Sequence, residues 1–184
     1  MKRSKKKKSN TAKENQKGTF FPPRYGNGFQ TVCDVDIHPD DKANFELRKS
    51  VRHIGSGVPS IKVLPYGEGI KTSSPCLYEA SMAHEQVHVN NATANCSGFK
   101  KCLDDKVANN LVSDANSANE YIACHNKFSK GLASNCTTDE QQAYSKSVEI
   151  GEKLVIDSKC ASEKSILEKN IVQWKKYAKT PPNC

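Results

Sequence analysis

The sequence predicts a mainly α-helical chain with a small β element, its helical core tied by disulfides. Three observations carry that expectation. Apolar residues recur at helical spacing over three long stretches, whereas only residues 58–66 alternate like a strand. Eight cysteines (33, 76, 96, 102, 124, 136, 160 and 184) are scattered along the chain with no C-x-x-C pair. That rules out clustered zinc-finger or iron–sulfur spacing and suits disulfides formed in an oxidising compartment. Eight cysteines allow roughly a hundred pairings, and none is assigned from the sequence. Finally, 36% hydrophobic residues and a mean hydropathy of -0.70 leave a modest core that covalent ties would reinforce.

The chain divides at its charge. Residues 1–17 carry eight Lys and Arg against the one Glu14, so all but one unit of the net +8 lies there. This segment reads as a basic, solvated arm or linker. Residues 18–184 are almost neutral and read as a single domain, so no specific nucleic-acid surface is expected. No apolar run approaches the roughly 20 residues of a transmembrane helix. No apolar stretch follows the lysines as a Sec signal peptide would require.

The elements follow in order. Residues 18–37 look irregular, with a Pro pair and a Gly-Asn-Gly turn signal. Residues 39–51 read as a short helix, led by Pro39, Asp40 and Asp41. Pro59 and Pro65 bracket the short strand expected over 58–66. A helix is expected over 75–91, capped by Ser74 with Pro75 in its first turn. Leu77, Ala80, Ser81, His84, Val87, His88 and Asn91 share one stripe of it. A further helical region spans 104–130 and stops at Gly131. The last begins at Thr137, where Glu140 completes a capping box. It bends at Gly151 and ends in a segment carrying Ile166, Leu167, Ile171 and Trp174, with Trp174 in the core.

The chemistry lies in "MAHEQVHVNN", residues 82–91, which contains His84-Glu85-Gln86-Val87-His88. On a helix, positions i and i+4 share a face, so His84 and His88 can offer two imidazole nitrogens to one metal ion. Glu85 projects beside the pair, where it can take a proton from an attacking water. The pattern H-E-x-x-H thus points to metal-assisted hydrolysis. His38 and His53 read as ordinary surface histidines.

These residues resemble the zincin metallopeptidases. Met82, Ala83, Gln86, Val87 and Val89 match the uncharged surroundings of that motif, and Asn90 departs from them. The resemblance implies an α+β zincin-like fold, a zinc ion held by His84 and His88, and Glu85 as the catalytic base. Asn91 and Ala94 replace the Gly and His of the longer metzincin motif, so a gluzincin-like site is implied, with a third ligand from a later helix. Glu120 is the expected ligand, because it lies on an otherwise apolar helix face, where an unpaired carboxylate is costly to bury. His125 and Asp114 compete for that role. Tyr121, His125 and Tyr78 are candidates to stabilise an oxyanion.

The functional expectation is a zinc-dependent metallopeptidase acting on peptide bonds of a protein substrate. The basic arm, the cysteines and the lack of a signal peptide resemble toxin domains that bacteria deliver through specialised secretion systems. A secreted or periplasmic location and an inhibitor or immunity partner follow from that resemblance. The rival expectations are a disulfide-stabilised binding module without catalysis, and a zinc amidase acting on cell wall.

Overall fold

A computed structural model describes residues 28–33, 52–53, 56–106, 111–112 and 115–182. The basic arm, the helix expected over 39–51, His38 and Asp114 lie outside them. The described residues are mostly helical, with four short strands.

Strand β1 (Phe29–Cys33) pairs antiparallel with β3 (Pro59–Val63), setting Phe29 opposite Val63 and Cys33 opposite Pro59. β1 falls within the stretch expected to be irregular. Phe29, Thr31 and Cys33 are its buried alternation, which two small polar or sulfur side chains disguise in the sequence. β3 ends at Val63, and Pro65 opens helix α1 (Pro65–Ser73) instead of closing the strand. Two glycines in nine residues hide this helix from a propensity reading. One of them is needed where it stands. Gly28 (φ 109°) crosses Gly67 so closely that a Cβ on Gly28 would lie 2.2 Å from the Gly67 nitrogen. A second antiparallel pair joins β2 (Arg52–His53) to β4 (Leu111–Val112), so Leu111 is in a strand and not in the expected helix.

Helix α2 (Pro75–Lys106) is the axis of the structure. Its 32 residues span about 48 Å. The expected end near residue 91 is not observed. Ala92, Cys96, Phe99 and Leu103 extend the buried stripe for four more turns. At its start, the Ser74 carbonyl accepts from the Tyr78 N–H at 2.9 Å. The first-turn N–H groups of Cys76 and Leu77 donate to the carboxylate of Glu163, at 3.1 and 3.0 Å. That anion stabilises both the orphan donors and the positive end of the helix dipole.

Three more helices pack around this axis. α3 (Ala115–Ser134) runs through Gly131 without stopping. α4 (Cys136–Val155) starts at Cys136, with Asn135 as an N-cap whose side chain makes no capping hydrogen bond. A 3₁₀ segment (Ser158–Glu163) leads into α5 (Lys164–Tyr177). α3 lies antiparallel on the second half of α2, through Lys106 with Glu120 and Phe99 with Phe128. α4 lies antiparallel on the first half, through Asn91 with Asp139 and His84 with Ser147. α5 covers α4, bringing Tyr177 onto Tyr144. The core formed by these elements holds Ala80, Leu154, Leu167, Ile171 and the expected Trp174. Gly151 lies within the continuous helix α4, and Ile171 and Trp174 fill the space beside it.

Disulfides join β1 to α2 (Cys33–Cys96), α2 to the 3₁₀ segment (Cys76–Cys160) and α2 to α3 (Cys102–Cys124). Cys136 is disulfide-bonded too. They close loops of 63, 84 and 22 residues, which by chain entropy restrains the unfolded state by about 3–4.5 kcal/mol each. No helix among the described residues is long and apolar enough to cross a membrane.

Candidate metal centre

The site forms where the first half of α2 meets α4. His84 and His88 sit one turn apart, with their Nε2 atoms 3.1 Å apart and their rings edge to face. Glu140 meets them from α4. Its Oε2 is 3.6 Å from His84 Nε2, and its Oε1 is 3.8 Å from His88 Nε2. The ligand atoms of His84, Glu85 and His88 also lie within 4.8 Å of one another, a cluster that could hold a metal ion.

The geometry can be tested against an ion. Two nitrogens at about 2.0–2.1 Å from one metal, separated by an angle near tetrahedral, lie about 3.1–3.4 Å apart. The imidazole separation falls in that range. Donors at 3.6 and 3.8 Å from those nitrogens subtend wider angles of about 120–135° at the same bond lengths. Each imidazole nitrogen thus has a different Glu140 oxygen within 3.8 Å, close enough for Glu140 to join such a cluster. Glu140 is only 6% exposed, and a carboxylate so buried is stable only where cationic or hydrogen-bonding groups face it.

The imidazoles are supported from behind. His88 Nδ1 lies 2.6 Å from Asp139 Oδ2. Asn91 donates to Asp139 Oδ1 at 2.6 Å and to Gln142 Oε1 at 2.9 Å. A carboxylate on the far nitrogen of a ligating histidine fixes the ring and raises its basicity. Burial works against charge on His88, but the hydrogen bond and negative charge of Asp139, with Glu85 and Glu140 nearby, outweigh it and raise its pKa above the ordinary value. His84 has Tyr144 edge-on at 4.5 Å and the Ser147 hydroxyl 3.4 Å from its Nδ1. Glu85 accepts a 3.4 Å hydrogen bond from the Thr31 hydroxyl, so β1 lies over this side of the helix.

The structure brings together His84, Glu85 and His88 but not Glu120. Glu120 Oε2 is ion-paired with Lys106 at 2.6 Å, near the far end of α2. Lys106 is 18 residues beyond His88, about 27 Å along the helix axis. The carboxylate that α4 brings beside the two histidines is Glu140, not the expected Glu120. The helix carrying Glu120 meets the second half of α2, beyond the end expected at residue 91. His125 packs against Phe99, 6.1 Å between centroids and about 16 Å along α2 from His88. Tyr78 packs on Phe29, about 9 Å before His84. The side chains of Tyr121 and His53 lie outside the described set, with Asp114.

Sequence reasoning did not single out Glu140 as a neighbour of the two histidines. Thr137 with Glu140 spells a capping box, yet the helix has already begun at Cys136. The better signal is the stripe Glu140, Ala143, Tyr144, Ser147, in which one carboxylate sits on a core-facing row.

No protein-family model matches the chain, and no curated protein or solved structure matches it either.

Proposed function

We propose that this chain is a zinc-dependent metallopeptidase of the zincin type, with a gluzincin-like ligand set. The observation that carries this reading is the convergence of His84, His88 and Glu140 at spacings that suit one ion, with Glu85 beside them. Imidazole nitrogens with one carboxylate are a donor set suited to zinc. When bound, zinc would supply Lewis acidity, polarising a peptide carbonyl and acidifying water.

The remaining roles belong to the chain itself. Glu85 takes the proton from the attacking water and returns it to the departing amine. The Thr31 hydroxyl orients the Glu85 carboxylate. Asp139 holds the proton on His88 Nδ1, which leaves the Nε2 lone pair facing Glu140. The substrate is a protein or peptide, and the activity is that of a secreted effector or toxin. Disulfides among the described residues are compatible with an oxidising compartment.

The test is direct. Purified protein should contain about one zinc per chain and cleave an unfolded protein substrate. Glu85→Gln should retain the zinc and lose about 10²–10⁴-fold in rate. A folded protein that takes up no zinc would overturn the proposal.

A further inference from the structure

We infer that strand β1 is a strap over the Glu85 face of α2, closed by the Cys33–Cys96 disulfide, so that oxidation of this one cysteine pair brings the site to full turnover. The strap itself stands on contacts in the fold; its consequence for turnover rests on the peptidase reading above.

β1 meets α2 at successive points in the same chain order. The Phe29 ring packs on Tyr78 at 5.5 Å between centroids, the Thr31 hydroxyl donates to Glu85 Oε2 at 3.4 Å, and Cys33 is bonded to Cys96. At about 100° of rotation per residue, Tyr78, Glu85 and Cys96 lie within about 20° of one another around the helix. Phe29, Thr31 and Cys33 are the alternate, buried residues of a strand whose backbone ladder runs sideways to β3. One face of β1 therefore follows one line of α2, and the central contact on that line is the carboxylate of Glu85.

The direction of that contact is fixed by chemistry, because an ionised carboxylate only accepts. Thr31 is thus a positioning residue that acts through Glu85. Cys33 lies two residues further along the same face, about 7 Å away. The covalent bond holds the end of the strand next to the positioning hydroxyl. Without it, β1 is kept in place by its ladder with β3, the Phe29 ring and the hydrogen bond itself.

The closing step is a two-electron oxidation. The Cys33 and Cys96 thiols form one S–S bond, and their two electrons and two protons reduce a disulfide-bearing oxidant to its dithiol. The two cysteines are 1% and 0% exposed, so the finished bond is shielded from thiolates in solution. The strap closes in an oxidising compartment and stays closed. His84 and His88 face Glu140 on α4, so zinc binding does not depend on the strap. Oxidation of this pair changes turnover and not zinc content.

The test compares the full chain with the double variant Cys33→Ala, Cys96→Ala, which keeps the Cys76–Cys160 and Cys102–Cys124 bonds, and with Thr31→Val and Thr31→Ser. Backbone hydrogen exchange in metal-free protein reads the strap directly. Relative to α4, the β1 amides should exchange about tenfold faster in the double variant. Zinc affinity should stay within threefold of wild type. On an unfolded protein substrate, kcat should fall by about 10- to 10²-fold at unchanged KM in the double variant and in Thr31→Val, and recover in Thr31→Ser. Unchanged β1 exchange in a folded double variant would overturn the inference, and so would faster exchange with kcat within twofold of wild type. If the double variant does not fold, Thr31→Val decides: kcat within twofold refutes the strap's route to Glu85, and a loss restored by Thr31→Ser upholds it. Wild type that takes up no zinc would sink the peptidase proposal, while β1 exchange still decides whether the disulfide closes the strap.

Discussion

Exchanging one carboxylate for a methyl group separates the two candidate third ligands. Glu140 is almost fully buried and faces both imidazoles within 3.8 Å. Removing one partner from a buried charged group costs about 3–5 kcal/mol, which at about 1.4 kcal/mol per decade is roughly a 10²- to 5 × 10³-fold loss of affinity. Glu120 sits at the opposite extreme. Its side chain is 39% exposed and paired with Lys106, the kind of contact worth about 0–1 kcal/mol to stability and nothing to a site some 27 Å distant. Glu140→Ala should therefore lower zinc affinity by at least two decades, and Glu120→Ala should leave it unchanged. The assay is chelator competition at neutral pH, with circular dichroism to show that both variants remain folded. A folded Glu140→Ala that holds zinc within threefold of wild type would refute the ligand assignment. So would a Glu120→Ala that loses it.

Four other outcomes are expected. Because the pKa of His88 is raised, a proton competes with the metal to a higher pH than at an ordinary imidazole, and affinity should fall about tenfold per pH unit below that pKa. In metal-free protein the same shift stabilises the fold fully below the unfolded-state value of about 6.5 and is lost as pH rises through the raised value, so urea midpoints should decline over that window; a flat profile, or one unaltered in Asp139→Asn, contradicts it. Glu163→Ala leaves the N–H groups of Cys76 and Leu77 without their acceptor, costing about 2–3 kcal/mol and lowering Tm by about 4–12 °C; an unchanged melt would show the cap to be idle. In Gly151→Ala the new Cβ would come within 3.0 Å of Ile171 Cγ1 and Trp174 Cζ3, an overpacking cost of about 1–3 kcal/mol against the roughly 1 kcal/mol that alanine gains in a helix. A clearly more stable Gly151→Ala would mean that the neighbouring helix yields freely.

The pair of imidazoles was legible because it is local. A four-residue spacing on one helix needs no knowledge of the fold, and His84 and His88 meet as the spacing requires. The helical class and the core role of Trp174 were legible for the same reason. The carboxylate beside them was not, because it depends on which helix lies across the interface. Ending α2 at residue 91 left its second half without a place, and the helix of Glu120 was put against the wrong turn. Past residue 91 the stripe runs on through Ala92, Cys96 and Phe99, with polar residues and Gly98 between them. Asn91 in fact bridges Asp139 and Gln142, and Gly98 makes room for the Phe128 ring. β1 was missed because its pairing partner lies about 30 residues away, across a chain segment that sequence periodicity does not read.

The three cysteines of α2 bear on how firmly the site keeps its register. Cys76, Cys96 and Cys102 each bond to a different part of the chain, and His84 and His88 fall between the first two. A one-residue slip of α2 would turn its side chains by about 100° and advance them by about 1.5 Å, carrying both imidazoles away from Glu140. With covalent bonds on either side of the imidazoles, that slip requires breaking sulfur–sulfur bonds and not merely sliding one packed surface over another. The helix is indexed against its surroundings like a scale clamped at both ends, and oxidation sets the zero.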